Sequence, residues 1–390
     1  MILYITSGHN AHKLSDTLQR AIRKAQDSNF DKNFARIEDF LKSVCEQLKI
    51  NIKFERYRGN AKEFSDKSFG DFRRFFADLL EYNNYPKQPT QRIAISLASR
   101  AMLLRAFDDP DAAVSHVTNK IIQVINSFPK NAADIECGKN KGDVLDPFIL
   151  AATQYLLYQG DFESAISATV SHKALMIIEG LIGHLHEDVL GMMRGNVRIP
   201  EPRGKDQEAF DYITNPFPGA DLIQPPAFHG DNFKIHQIKS KTGSAKGGDG
   251  KRLGDQLNFL AKHYDANIYY DALIGNTLIG HRSKAGVEKA APQVRVVVGK
   301  TAFFHITGSM HGAGLLLRLY QESLLSAANE TNYSLVDISK AIVACFQSQS
   351  EELGESFLDS ILVRSTAGDK LEQDSFLFNS HRKNKKNSKA

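Results

Sequence analysis

Pro218-Gly219-Ala220-Asp221-Leu222-Ile223-Gln224, followed after a short gap by Asn232-Phe233-Lys234-Ile235-His236-Gln237-Ile238-Lys239, is the stretch of this chain that decides its fold. The residues between, Pro225 to Asp231, are punctuated by Pro and Gly and read as a turn, so the whole is a β-hairpin. Successive side chains of a strand point to opposite faces, which puts Phe233, Ile235, Gln237 and Lys239 on one face of the second strand. A buried sheet has no use for an amide and an ammonium there. Asp221, on the first strand, can lie beside them, so the hairpin brings an Asp, a Gln and a Lys to one point.

Ahead of the hairpin, Ser171 to Met193 reads as a helix capped by Ser171, with Leu175, Ile178, Leu181 or Ile182, Leu185 and Val189 on one stripe. Glu179 borders that stripe instead of standing on the most polar face. His184-Leu185-His186-Glu187 invites a metal reading, but helix residues two apart point in different directions, so exposed or satisfied histidines are expected. A short helical piece is expected near Asp206 to Tyr212. Behind the hairpin come a glycine- and lysine-rich loop to Arg252, a helix from Leu253 to Tyr264 and a strand from Asn267 to Leu273. Strands are then expected over Gln293–Val298 and Phe303–Ile306, and a helix over Gly312–Ala328. This order makes a mixed sheet flanked by helices, with a right-handed crossover.

Residues 11 to 165 carry helical spacing, as in Leu14, Leu18, Ile22 and Ile37, Phe40, Leu41, Val44, Leu48, with breaks near Asp27–Lys32, Asn83–Pro89, Asp108–Pro110 and Pro129–Asp143. Phe69 to Tyr82 interleaves Phe72, Phe75, Phe76, Leu79 and Leu80 with Arg73 and Arg74; a core stripe with solvated arginines is preferred over nucleic-acid contact. Residues 333 to 364 add about two helices, and the last ten form a basic, disordered tail.

The chain has 390 residues, 42% hydrophobic and 24% charged, which fits one large decorated domain or a few smaller ones and excludes wholesale disorder. Apolar runs such as Ala174 to Leu185 fall short of a membrane span, and the first nine residues do not resemble a signal peptide; a short strand or packed arm is expected there. Cys45, Cys137 and Cys345 lack metal-ligand spacing and are read as buried, reduced thiols, in keeping with a cytoplasm. Net charge is +4, with five lysines between Lys234 and Lys251 and more basic residues in the tail. That distribution allows a polyanionic partner.

The hairpin chemistry suits a hard cation. Mg²⁺ takes oxygen ligands and keeps several waters while one or two carboxylates hold it. Asp221 supplies the first carboxylate. Gln237 offers only a neutral carbonyl, so a second carboxylate must come from elsewhere: Glu179 is the candidate, with Glu187 behind it. Lys239 would sit beside a metal-bound water and stabilise hydroxide or the developing phosphorane charge. The loop lysines fail the Walker A pattern, since Ala245 and Arg252 stand where Gly and Ser/Thr are needed. A solvated loop and a loop over a nucleic-acid backbone fit equally well; in the second case Lys241, Lys246, Lys251 and Arg252 hold phosphates.

Pro218-Gly-Ala-Asp221 followed by Gln237-Ile-Lys239 resembles the PD-(D/E)XK nucleases in their Gln-x-Lys variant, over about residues 170 to 325. Two departures stand: Pro218 lies three residues before Asp221, and Gln replaces an acid. Val298 to Gly308 also looks like a stretch that follows the core in several restriction endonucleases. The resemblance implies an α/β fold with a mixed sheet and a restriction-endonuclease-like αβββαβ core over 166–328. It adds a helical region 1–165 for recognition or dimerisation, a helical extension 329–380 and a tail 381–390. It also implies Asp221, Gln237, Lys239 and Glu179 as catalytic residues, with Asp221, Glu179 and Gln237 on Mg²⁺. The expected protein is a cytoplasmic, bacterial type II restriction endonuclease, a homodimer on double-stranded DNA, acting beside a cognate DNA methyltransferase and away from membranes. A repair or junction-resolving nuclease of the same fold, and a non-catalytic DNA-binding protein, are the alternatives.

Overall fold

A computed structural model describes residues 14–54, 57–136, 147–200, 209–226, 232–241, 249–264, 266–274 and 284–331, with 343–344, 347–348 and 351–352. The expected N-terminal arm, the loop at 242–248 with Lys246, Cys137, Cys345, the tail and most of the 329–380 extension lie outside the described residues. The fold is mixed α/β, mostly helical, with a five-stranded sheet. In chain order the helices before the sheet are α1 (Asp16–Asp27), α2 (Phe30–Asn33), α3 (Ile37–Gln47), α4 (Phe69–Tyr82), α5 (Lys87–Ala106), α6 (Pro110–Glu136), α7 (Pro147–Ala152) and α8 (Phe162–Met192). Then come β1 (Val197–Arg198), β2 (Leu222–Gln224), β3 (Lys234–Lys241), α9 (Asp249–Tyr264), β4 (Asn267–Ile274), α10 (Lys284–Ala290), β5 (Arg295–Val298), α11 (Lys300–Thr307) and α12 (Gly312–Thr331).

Two compact units result, one of Met1–Thr118 with Leu181–Ser326, the other of Asn119–Gly180 with Ala327–Ala390. In the first unit α1 starts where the Ser15 hydroxyl accepts the Leu18 N–H. Its buried Ile22 and Ala25, with Leu14 just ahead of the helix, join the sheet core. α4 begins at a capping box of Ser68 and Asp71 and buries Phe72, Phe76, Leu79 and Leu80, while Arg73 and Arg74 are exposed. The aromatic stripe is therefore core: Phe72 packs with Phe40, Phe64 and Phe76 at ring separations of 5.9 to 6.3 Å. Cys45 is buried nearby on α3, where burial pushes its thiol up to about 12.

The sheet runs β1-β2-β3-β4-β5. β2 pairs antiparallel with β1 and with β3, and β4 pairs parallel with β3 and with β5. Each parallel step needs a crossover, which α9 and α10 supply. One sheet face buries Ile235 of β3 and Ile268 and Tyr270 of β4 against Leu253, Leu257, Leu260 and Tyr264 of α9. Fully burying a leucine such as Leu257 is worth about 2 kcal/mol, so this face fixes where β3 lies.

α8 reaches β1 through Gly191, where a Cβ would overlap the Arg198 side chain and stand 2.9 Å from its Cα. Gly191→Ala is therefore expected to cost about 1–3 kcal/mol by forcing β1 off the helix. Urea denaturation checks this, and an unchanged midpoint at unchanged slope would refute it.

Several expectations are corrected. Phe303–Ile306 is not a strand; it lies in α11. Ala302, Phe303 and Ile306 are buried while Phe304 is exposed, which is a helical stripe, and Gly299 and Gly308 bound it with φ of 59° and 68°. The β-favouring Thr, Phe and Ile composition masked that period. The apolar run Val294–Val298, which suits a buried strand, yields a β5 that is only half-buried and that stands last in the order of the described strands. Residues 209–215 form a turn, in which the Asp211 carboxylate accepts the Ile213 and Thr214 N–H groups, instead of the end of a helix. α6 continues past Pro129 to Glu136, sustained by the helix-favouring Ala132 and Ala133.

In the second unit, α8 begins well before Ser171. Asp161 accepts the Glu163 N–H and the Ser164 hydroxyl, an earlier cap that leaves Ser171 inside the helix.

Candidate active site

The hairpin places its polar residues by register. Leu222 of β2 faces His236 of β3, so the ladder closes beside Asp221, whose own N–H donates to the His236 carbonyl at 2.9 Å. The Asp221 Oδ2 accepts the Ile238 N–H at 2.6 Å and the Gln237 Nε2–H at 2.5 Å. A carboxylate thus takes over a backbone donor at the end of the ladder and draws the amide of Gln237 onto itself. Both residues are 5% exposed. Lys239 follows two residues on, half-buried, on the same strand face as Gln237. Asp221 and Gln237 thereby meet where the β2–β3 ladder ends, midway along β3, with Lys239 two residues on.

Arg198, from β1, ties this point to α8. Its Nη2 donates to Glu187 Oε2 at 2.5 Å, its Nε to Asp188 Oδ1 at 3.3 Å, and its Nη1 stands 3.9 Å from Asp221 Oδ1. The same Nη1 donates to the backbone carbonyls of Asp221 and Ile199 at 2.9 and 2.7 Å. Asp188 further faces the His116 ring at 3.6 Å. One guanidinium therefore spans Glu187 and Asp221, two acids 34 positions apart. Glu187 is brought toward Asp221 through Arg198; the side chain of Glu179, the first choice from the sequence, lies outside the described residues. Among the described residues no three His, Cys, Asp or Glu side chains form a metal-binding group.

Lys251 and Arg252 are exposed in the first turn of α9, directly after the glycine-rich loop; the Lys241 side chain and Lys246 lie outside the described residues. His184 is exposed, and His186 is buried against Tyr320, with its Nδ1 2.7 Å from the hydroxyl. Burial pushes the His186 imidazole down to about 4. An unfolded histidine titrates near 6.5, so between those values the unfolded chain binds the additional proton and stability falls as pH falls. A loss of up to about 3 kcal/mol is expected on acidification across that window. Equilibrium unfolding measured against pH tests it: the slope should flatten in His186→Gln, whose amide oxygen still accepts from Tyr320.

The opposite face of β3 carries a second polar cluster. His236 and Asp271 of β4 are both fully buried, with Nδ1 2.8 Å from Oδ2. The His236 Nε2 faces Gln224 Oε1 at 3.3 Å, and its ring stacks on Tyr269, which in turn packs against His305 and binds Arg295. Complete burial pushes the Asp271 carboxyl up, opposed by His236 and more weakly by His305. Neither this pair nor Arg198 was singled out from the sequence. The available signal was a lone Asp in the apolar run Ile268-Tyr-Tyr-Asp-Ala-Leu273.

Comparison with protein-family models and with curated protein sequences finds no match for this chain. Among the described residues no helix is long and apolar enough to cross a membrane.

Proposed function

We propose that this chain is a Mg²⁺-dependent endonuclease of the PD-(D/E)XK kind, hydrolysing double-stranded DNA as a type II restriction enzyme. The observation that carries the reading is the junction of Asp221 with Gln237 where the β2–β3 ladder ends, with Lys239 two residues beyond. The element order supports it: α8, three antiparallel strands, α9, then β4 parallel to β3. That is the αβββαβ order the resemblance implies.

The donors present fit a hard divalent cation. Asp221 and Glu187 offer carboxylates linked by one guanidinium, and Gln237, whose Nε2 donates to Asp221, carries a carbonyl oxygen on the same amide. Two carboxylates and solvent are a usual Mg²⁺ environment. Bound there, Mg²⁺ would polarise a phosphate and acidify a water. Gln237 and the Ile238 N–H hold one oxygen of Asp221 in place, which fixes the direction of the other. Lys239 provides a cation for the charge that builds on the phosphate oxygens. Lys251 and Arg252 lie where they can grip the DNA backbone without reading sequence. Cleavage of both strands at a symmetric site calls for a dimer.

The test is digestion of plasmids of known sequence with Mg²⁺ and with chelator. Discrete, Mg²⁺-dependent fragments are expected. A smear or preference for branched DNA would favour a repair or junction nuclease, and binding without cleavage a non-catalytic protein.

A further inference from the structure

We infer that Arg198 is the residue that sets the cation affinity of this site, because its guanidinium holds the place between Glu187 and Asp221 that a divalent cation must take. This rests on the metal-site reading above and adds a competition to it. Arg198 is four-fifths buried and surrounded by three carboxylates, those of Glu187, Asp188 and Asp221, of which Glu187 is the closest at 2.5 Å. Burial weakens screening by water, so the guanidinium charge is felt strongly by any cation that approaches these acids.

The fork geometry sharpens the argument. Nη1 is anchored on the Ile199 and Asp221 carbonyls, whereas Nη2 and Nε bind only carboxylates on α8. A cation that takes Glu187 and Asp221 removes the best partner of Nη2. Asp188, next to Glu187 and already on Nε, remains to receive the guanidinium, so Arg198 can shift toward Asp188 without becoming an unpaired buried charge. Arg198 thereby neutralises the acids before the cation arrives and opposes its entry. It is a positioning residue that touches the metal ligands and not the phosphate.

The experiment is Mn²⁺ titration of the full-length protein without DNA, followed by calorimetry and by the electron-spin signal of free Mn²⁺, with thermal unfolding of each variant. Arg198→Gln is expected to bind Mn²⁺ on the order of tenfold more tightly than wild type, since a repelling unit charge is gone. Its melting temperature without metal should drop, and Mn²⁺ should raise it by more than it raises wild type. Arg198→Lys keeps the charge but not the fork, and should change affinity in the same direction by less; it serves if Arg198→Gln does not fold. Asp221→Asn should weaken Mn²⁺ binding in every background. If Asp221→Asn weakens binding but neither Arg198 variant tightens it, the metal site stands and Arg198 is a structural strut. If Asp221→Asn changes nothing, the metal reading itself fails, and the competition with it.

Discussion

Asp221→Asn is expected to lower Mg²⁺-dependent DNA cleavage by on the order of a thousandfold or more while leaving the protein folded and able to bind DNA. The choice of Asn matters. Asp221 is buried and its carboxylate accepts two hydrogen bonds, from Ile238 N–H and Gln237 Nε2. Alanine would leave the Ile238 N–H without this acceptor, at about 1–3 kcal/mol, and Gln237 Nε2 with only its longer bond to the Ile238 carbonyl at 3.3 Å, so a loss of activity could reflect misfolding. Asparagine keeps the volume and one accepting oxygen for the Ile238 N–H, and removes the charge. Lys239→Ala should lose about a hundred- to a thousandfold, because one charge-stabilising group goes and the cation ligands stay. Initial rates of plasmid nicking, with DNA binding measured in parallel without Mg²⁺, separate chemistry from affinity. Cleavage that survives both substitutions would remove Asp221 and Lys239 from the active site.

How much of this was legible in the sequence follows from how local each signal is. The face shared by Phe233, Ile235, Gln237 and Lys239 was readable because alternation is a property of one strand, and Gln and Lys break its apolar side. The start of α4 and its buried stripe were readable for the same reason, with cap and core inside a span of 15 residues, Ser68 to Tyr82. Arg198 was not, because its meaning depends on Glu187, Asp188 and Asp221 meeting across a helix and two strands. A second carboxylate is expected from the charge that Gln237 lacks, but which residue of α8 stands near Asp221 depends on the packing of α8 on β1, where Gly191 allows a close approach, and that packing is not local in the sequence. α11 was misread because Thr301 to Ile306 has strand-like composition in a six-residue window, too short for its helical period to emerge.

The buried pair behind the hairpin carries the largest expected effect on stability. Gln224 cannot be turned over, since its Nε2 donates to Asn196 Oδ1 at 2.8 Å and to the Ile306 carbonyl at 2.7 Å. Its Oε1 therefore accepts, and the His236 Nε2 that faces it carries a proton. One further proton lies between His236 Nδ1 and Asp271 Oδ2, so the pair is either imidazolium with carboxylate or imidazole with carboxylic acid, neutral overall in both cases. Burial favours the uncharged form, and Asp271 Oδ1, buried with no hydrogen-bond partner among the described residues, favours it too. Asp271→Ala leaves His236 sealed in the sheet with Nδ1 unpaired and should cost about 3–5 kcal/mol. Asp271→Asn can donate its amide N–H to Nδ1 while Nε2 keeps its proton, so it should cost only about 1 kcal/mol. Urea unfolding of both variants at neutral pH decides. Equal losses from Asn and Ala would mean that the pair is held as an ion pair, and a negligible loss from Ala would mean that it stabilises nothing. Because the His236 carbonyl accepts the Asp221 N–H, a loosened Asp271→Ala protein should also cleave DNA more slowly, and lowering the temperature should restore its rate.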